Sequence, residues 1–174
     1  MKLYYLKGAC SMASNIALRE AGLEFELVQV DRQTRRTADG LAFDEVNPKG
    51  YVPALALDNG QVLTENIAVL QYIADRNPAA RLAPPAGTLE RYRLMEWLGF
   101  ISSEIHKNFS PLFRDDAQDE VKQFARKVLS GRLDYLNRAI GNRAFLMGDQ
   151  FTVADAYLFT VLGWGRFVNI DLGQ

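Results

Sequence analysis

The chain has 174 residues, 48% of them apolar and 24% charged, and its 20 Lys and Arg against 21 Asp and Glu leave a net charge of -1. That composition excludes a disordered or fibrous chain and supplies no overall charge drive toward nucleic acid or an anionic membrane. A single cysteine and a single histidine exclude an internal disulfide framework, a Cys-x-x-Cys couple and a thiolate zinc cluster, and argue against a histidine-rich metal site.

The length suits one large domain or two small ones. The N-terminal "KLYYL" (residues 2–6) reads as a strand. Its apolar stretch ends at Lys7, too short for the ~7–15-residue core of a secretion signal, so the protein is expected in the cytoplasm. After Gly8, Ser11 or Ser14 is the expected N-cap of a helix with Ala13, Ile16, Ala17 and Ala21 on one side, stopped by Gly22. "FELVQV" (25–30), with Phe25 and Leu27 alternating, reads as a second strand. The polar "DRQTRRTADG" follows as a loop, and "LAFDEV" (41–46) has room for one or two helical turns. Asp58–Asn59–Gly60 is a hairpin turn between "ALAL" and "QVL". Thr64 then opens a helix with Ile67, Leu70 and Ile73 facing a core, ended at Asn77–Pro78. The order β-α-β-α-β-β-α is a parallel βαβ unit followed by an antiparallel hairpin and a helix.

"AARLAPPAG" (79–87) lacks periodicity and reads as a break. The domain expectation is 1–80, a linker at 81–87, and an all-helical 88–174. Beyond the break, helical spacing runs through Leu89, Tyr92, Met95, Glu96 and Leu98, then Val121–Ile140. Thr152 and Asp155 have capping-box spacing ahead of "AYLFTVLGW", which is apolar all round and belongs at the centre of this half. That run is far short of the ~20 residues of a membrane span.

Three places carry candidate chemistry. Cys10 lies between a strand end and a helix start, where unpaired N–H groups and the helix dipole favour a thiolate. Its pKa is expected to fall from about 8.5 toward or below neutrality. Ser11 adds a hydroxyl, Tyr5 a phenol and Lys7 a positive charge; the competing role is inert packing, the common fate of a lone cysteine. Val52–Pro53 precedes the third strand. A cis bond would turn the Val52 N–H and C=O toward an extended peptide, whereas a trans bond would merely open an edge strand. Thr64, Glu65 and Asn66 sit at a helix start, able to hold a carboxylate and an ammonium, or simply to cap the helix.

Taken together, "MKLYY…GACSMASNIALREAG", "VNPKGYVPAL", "LTENIAVLQYIAD", "FISSEIHKNFSPLF" and "FTVADAYLFTVLGW" resemble the bacterial beta-class glutathione S-transferases along essentially the whole chain. The resemblance implies a thioredoxin-like N-terminal domain, an all-helical C-terminal domain and a homodimer. It also implies conjugation of glutathione, the co-substrate, to small apolar electrophiles without a metal, nucleic acid or membrane partner. It places Cys10 at the glutathione sulfur, with a mixed disulfide and thiol–disulfide exchange as a second activity. Tyr5 and Ser11 lie nearby, Val52 and Pro53 pair with the cysteinyl backbone, and Glu65 and Asn66 hold the γ-glutamyl end. Arg35, a Lys in familiar members, takes the glycyl carboxylate. Gly99 replaces a frequent Asn, which removes a contact. Ser103, Glu104, His106 and Lys107 approach, in part from a second subunit, and His106 stabilises a thiolate or moves protons. Trp97, Phe100, Ile101 and Phe109 line an apolar pocket or pack the core. The alternatives are a glutathione-dependent dehalogenase and a non-enzymatic binder of apolar molecules. Familiar members continue past "NIDL" (169–172), so the chain reads as shortened at Gln174.

Overall fold

A computed structural model describes residues 1–170 and 172, and the chain end at Gln174 lies outside the described residues. The chain divides into two compact units, Met1–Ala83 and Pro84–Gln174. The first holds β1 (Lys2–Tyr5), α1 (Ser11–Glu20), β2 (Glu26–Gln29), α2 (Phe43–Val46), β3 (Ala54–Ala56), β4 (Val62–Thr64) and α3 (Asn66–Arg76). Its sheet has the order β2-β1-β3-β4, with β1 parallel to β2 and antiparallel to β3, and β3 antiparallel to β4.

Side chains alternate across this sheet, and each face has its own core. Leu3 and Leu55 are register partners and fully buried, on the face opposite Tyr4 and Ala54. On that other face Tyr4, Val30, Phe43, Val52 and Ala54 form one cluster, with the Tyr4 and Phe43 rings 6.0 Å apart. The helices α1 and α3 pack on each other, and Ala13, Ala17 and Leu18 of the first and Val69, Leu70 and Ile73 of the second are shielded from solvent.

Several local expectations need correction. In β2 the buried residue is Val28, continued by Val30 just beyond, while Leu27 is 37% exposed; an edge strand has a sheet neighbour on only one side. Ser11 is the first helical residue and Cys10 occupies the N-cap position, without a side-chain cap. Thr64 ends β4 rather than opening α3, whose N-cap is Glu65. Ile67 is only partly buried, and Val69 takes its place in the core.

The second unit starts with α4 (Leu89–Phe100), capped by the Thr88 hydroxyl, which accepts from the Arg91 N–H. The helix widens into a π-helical turn, Ile101–His106, then tightens through α5 (Lys107–Phe109) into a 3-10 turn at Ser110–Phe113. After it come α6 (Asp119–Ile140) and α7 (Val153–Leu162). The buried side of the first rod is Arg91, Leu94, Leu98, Ile101 and Ile105, leaving Leu89, Tyr92 and Met95 exposed. α7 is largely buried, with Phe159 the large side chain left outside. The capping box forms as spaced: Asp155 accepts from the N–H and hydroxyl of Thr152, each at 2.8 Å, and also from the Leu146 N–H at 2.8 Å. Among the described residues no helix is long and apolar enough to cross a membrane.

Candidate active site

In the first unit the chemistry gathers where α1 and α3 begin. Gly8, at φ +74, turns the chain out of β1, and the Ala9 N–H closes the turn on the Leu6 carbonyl. This brings Cys10 against the segment before β3, where the Val52–Pro53 peptide bond is cis and Val52 is buried. The Cys10 thiol donates to the Val52 carbonyl at 3.2 Å. Among the described residues the Val52 N–H has no hydrogen-bond partner, so one backbone donor there is open to a ligand.

The ionisation state of Cys10 is the main correction. Burial pushes its thiol up from 9.0 to about 11, and the Glu65 carboxylate adds to the rise. The N–H groups of Cys10 and Ser11 act in the expected direction but are outweighed. Desolvation disfavours the thiolate more than the helix start favours it. Cys10 is a neutral S–H donor at physiological pH, not a resident thiolate.

The neighbouring predicted residues fall into different roles. Ser11 is fully buried and its hydroxyl folds back onto the Leu6 backbone, at 3.3 Å from the N–H and 3.4 Å from the carbonyl, so it is not presented to a ligand. The Tyr5 hydroxyl reaches Gln29 across β1–β2 at 3.4 Å, on the flank of β1 away from β3. Asn66 is buried and acts as a strut. Its amide donates to the Cys10 carbonyl at 3.3 Å, and its oxygen accepts from the Ser14 hydroxyl at 2.8 Å. Glu65 beside it has φ +70 and ψ 117, a conformation that costs a non-glycine residue about 1–3 kcal/mol and is typical of ligand-holding positions.

Glu65 is paired with Lys49, Nζ to Oε1 at 2.8 Å, and the same ammonium donates to Thr64 Oγ1 at 3.1 Å. Arg35, at φ +56, donates to Asp44 at 2.6 Å and to the Gly50 carbonyl at 3.3 Å. Both pairs are exposed, where such contacts contribute about 0–1 kcal/mol, so a zwitterionic ligand can exchange into them at little cost. Lys49, which sequence reasoning passed over, is the cation paired with Glu65; the signal was its place in "NPKGYVP", three residues before Val52.

The second unit carries its own set. The Ser103 hydroxyl donates to the Gly99 carbonyl at 3.0 Å, and Lys107 is exposed. Glu104 accepts from Arg132 at 2.6 Å. The His106 Nδ1 lies 2.7 Å from the Tyr157 hydroxyl, and its ring meets Trp164 edge-on at 4.8 Å. Burial, helped by the Lys107 charge, pulls His106 down from 6.5 to about 4, so the imidazole is neutral near pH 7. The aromatic stripe divides in two. Ile101 and Phe109 are core, whereas Trp97, Phe100 and Tyr135 wall a cleft of about 540 Å³ rimmed by the Arg93–Glu96 and Arg132–Glu104 ion pairs. No cluster of three or more His, Cys, Asp or Glu able to hold a metal occurs among the described residues.

A four-stranded mixed sheet with a cis-proline before its third strand, joined to a helical unit, defines a thioredoxin-like domain followed by an all-helical one. Residues 1–75 match the glutathione S-transferase N-terminal domain and residues 100–174 the C-terminal domain. The chain is 48% identical to glutathione S-transferase GstA of Escherichia coli O157:H7, over 99% of this chain and 86% of that protein. Among solved structures it is similar to a sphingomonad glutathione S-transferase complexed with glutathione, at 50% identity and a TM-score of 0.95, covering 99% of this chain and 86% of the other. A bacterial beta-class glutathione S-transferase of Sphingomonas chungbukensis matches at 50% identity and a TM-score of 0.94, with the same coverage of 99% and 86%. The chain belongs to the glutathione S-transferase family.

Proposed function

We propose that this protein binds reduced glutathione at the start of α1 and α3 and transfers it to small apolar electrophiles. The observation that carries the reading is the meeting of three ligand-ready groups in the first unit: the Cys10 S–H, the Val52 backbone and the entry to α3 at Glu65. The tripeptide's cysteinyl backbone pairs with Val52 as an added strand would. Glu65 takes the γ-glutamyl ammonium, Asn66 holds the start of α3 in place for it, and Lys49 and Arg35 compensate the carboxylates. The Cys10 proton, released from the Val52 carbonyl, is donated to the glutathione sulfur and lowers that sulfur's pKa. The glutathione thiol gives up its own proton to solvent, the bound thiolate attacks the electrophilic carbon to form the C–S bond, and the bond to the leaving group breaks as that group departs with its electron pair.

A neutral Cys10 is a poor attacking nucleophile, which favours conjugation over thiol–disulfide exchange as the main activity. The remaining proposed glutathione contacts are His106, as a further donor, and Ser103, Glu104 and Lys107, supplied in part by a second subunit. The cleft walled by Trp97, Phe100 and Tyr135 suits an apolar second substrate. The protein works as a homodimer in the cytoplasm. The exposed Leu89, Tyr92 and Met95 of α4 support the dimer, and the reducing cytoplasmic thiol pool supports the location.

The test is a conjugation assay with reduced glutathione and chlorodinitrobenzene. Turnover is expected, and Glu65→Ala and Lys49→Ala should each raise the KM for glutathione about tenfold while changing kcat little, as losing a charge-assisted contact does. No turnover across a panel of aryl halides, epoxides and enones would contradict the proposal.

A further inference from the structure

The backbone of Arg35, at φ +56, is tied on both sides: its N–H donates to the Asp31 carbonyl at 3.0 Å, and its carbonyl accepts from the Phe43 N–H at 2.9 Å. The Asp31 carboxylate folds the turn before it, accepting from the Gln33 and Thr34 N–H groups at 3.0 and 2.7 Å. At the tip of the side chain a single nitrogen makes both contacts: Nη2 donates to Asp44 of α2 at 2.6 Å and to the Gly50 carbonyl at 3.3 Å. Gly50 has φ +73, and a Cβ there would collide with Nη2, so the guanidinium rests on backbone that only glycine leaves open. The N–H groups of Nε and Nη1 have no protein acceptor among the described residues.

We infer that Asp44 and Gly50 are positioning residues for Arg35: they hold its guanidinium by Nη2 beside the Val52 segment, so that Nε and Nη1 receive the glycyl carboxylate of glutathione. A tripeptide whose cysteinyl residue pairs antiparallel with Val52 sets its glycyl residue against Tyr51 and its carboxylate at Gly50, where Nη2 already rests. A free arginine arm loses rotamer freedom when it grips a ligand; the Asp44 contact imposes that order before the ligand arrives. Asp44 is itself an anion, so it repels an incoming carboxylate while it orders the cation. An asparagine in its place keeps an acceptor oxygen without the charge and separates the two effects. This role rests on the glutathione reading of the site, which it deepens.

Titration calorimetry on the full chain, with reduced glutathione and its glycyl amide as ligands, tests the role, because the two differ only at the carboxylate. Wild type should bind glutathione about fivefold more tightly than the amide, the upper end for an exposed charge pair. In Asp44→Ala that ratio should fall to about twofold with the Kd of the amide unchanged, whereas Asp44→Asn should keep most of it. Arg35→Ala should abolish the preference, and adding Asp44→Ala to it should change nothing further. Gly50→Asn tolerates positive φ yet adds the Cβ, so it should narrow the ratio as Asp44→Ala does. Equal affinity of wild type for the two ligands, or a wild-type ratio in Asp44→Ala, would overturn the inference. Tighter glutathione binding in Asp44→Ala would also overturn it, making Asp44 a competitor of the ligand, as would an equal loss of both ligands, which would leave Asp44 a merely structural part. A wild-type ratio in Gly50→Asn would overturn the role given to Gly50. Wild type that shows the preference but conjugates nothing would refute the transfer reading alone, and no uptake of either ligand would refute both.

Discussion

Replacing the chain's one thiol tests the electrostatics most sharply, because the helix start and the burial of Cys10 act in opposite directions. The thiol stands at about 11 rather than 9.0. Two pH units correspond to about 3 kcal/mol in favour of the protonated form and a thiolate fraction about a hundredfold smaller near neutrality. The measurement is thiolate absorbance against pH, taken as the difference between wild type and Cys10→Ala so that the seven tyrosines cancel. In parallel, mass spectrometry follows the rate of iodoacetamide alkylation across the same range. Both signals should keep rising past pH 9 toward about 11. The sign for stability follows: the unfolded thiol ionises first, so this contribution is complete below pH 9.0 and is lost as the pH climbs through about 11. A plateau in either signal near pH 7–8, around or below the free-thiol value of roughly 8.5, would refute the reasoning and restore the helix-start thiolate.

Removing the strut in Asn66→Ala leaves the buried Ser14 hydroxyl without its acceptor and takes one of two donors from the Cys10 carbonyl, which keeps the Ala13 N–H, so about 1–3 kcal/mol and several degrees of Tm should be lost, read by thermal unfolding. Asp155→Ala strips three acceptor contacts from the start of α7 and should cost about 2–4 kcal/mol in the same assay, with Asp155→Asn intermediate because it keeps one acceptor oxygen. His106, held at about 4 against 6.5 when unfolded, contributes stability that is complete above pH 6.5 and lost as the pH falls toward 4. That window is worth at most about 3 kcal/mol and should flatten in His106→Gln, followed by urea unfolding against pH.

What could be read in advance was what neighbours in sequence determine. The Asp58–Gly60 turn closes as expected, with the Gly60 N–H on the Leu57 carbonyl, and the Thr152–Asp155 box needs only residues three apart. The order of strands and helices followed from short runs with clear punctuation. What escaped was set by contacts distant in sequence. The phase of α4 depends on which side meets the rest of its unit, so Leu94 and Leu98 are buried while the equally apolar Leu89 and Met95 are not. The helix-start effect on Cys10 was visible locally, but its burial against Val52, forty-two residues on, was not, and burial wins. Ser11, Asn66 and Arg35 were picked for the right neighbourhood, yet their side chains are engaged with Leu6, Ser14 and Asp44. Lys49 carried no signal beyond its position, because an exposed lysine is common and only its pairing with Glu65 marks it.

The central claim is that glutathione lies along Val52 with its sulfur at Cys10. Titrating nitrogen-15-labelled protein with reduced glutathione tests it most directly. The Val52 amide should move downfield as it gains a partner, together with Cys10, Glu65 and Asn66, all following one saturable curve. Saturable uptake that leaves the Val52 amide unmoved, or no uptake at all, would contradict the account.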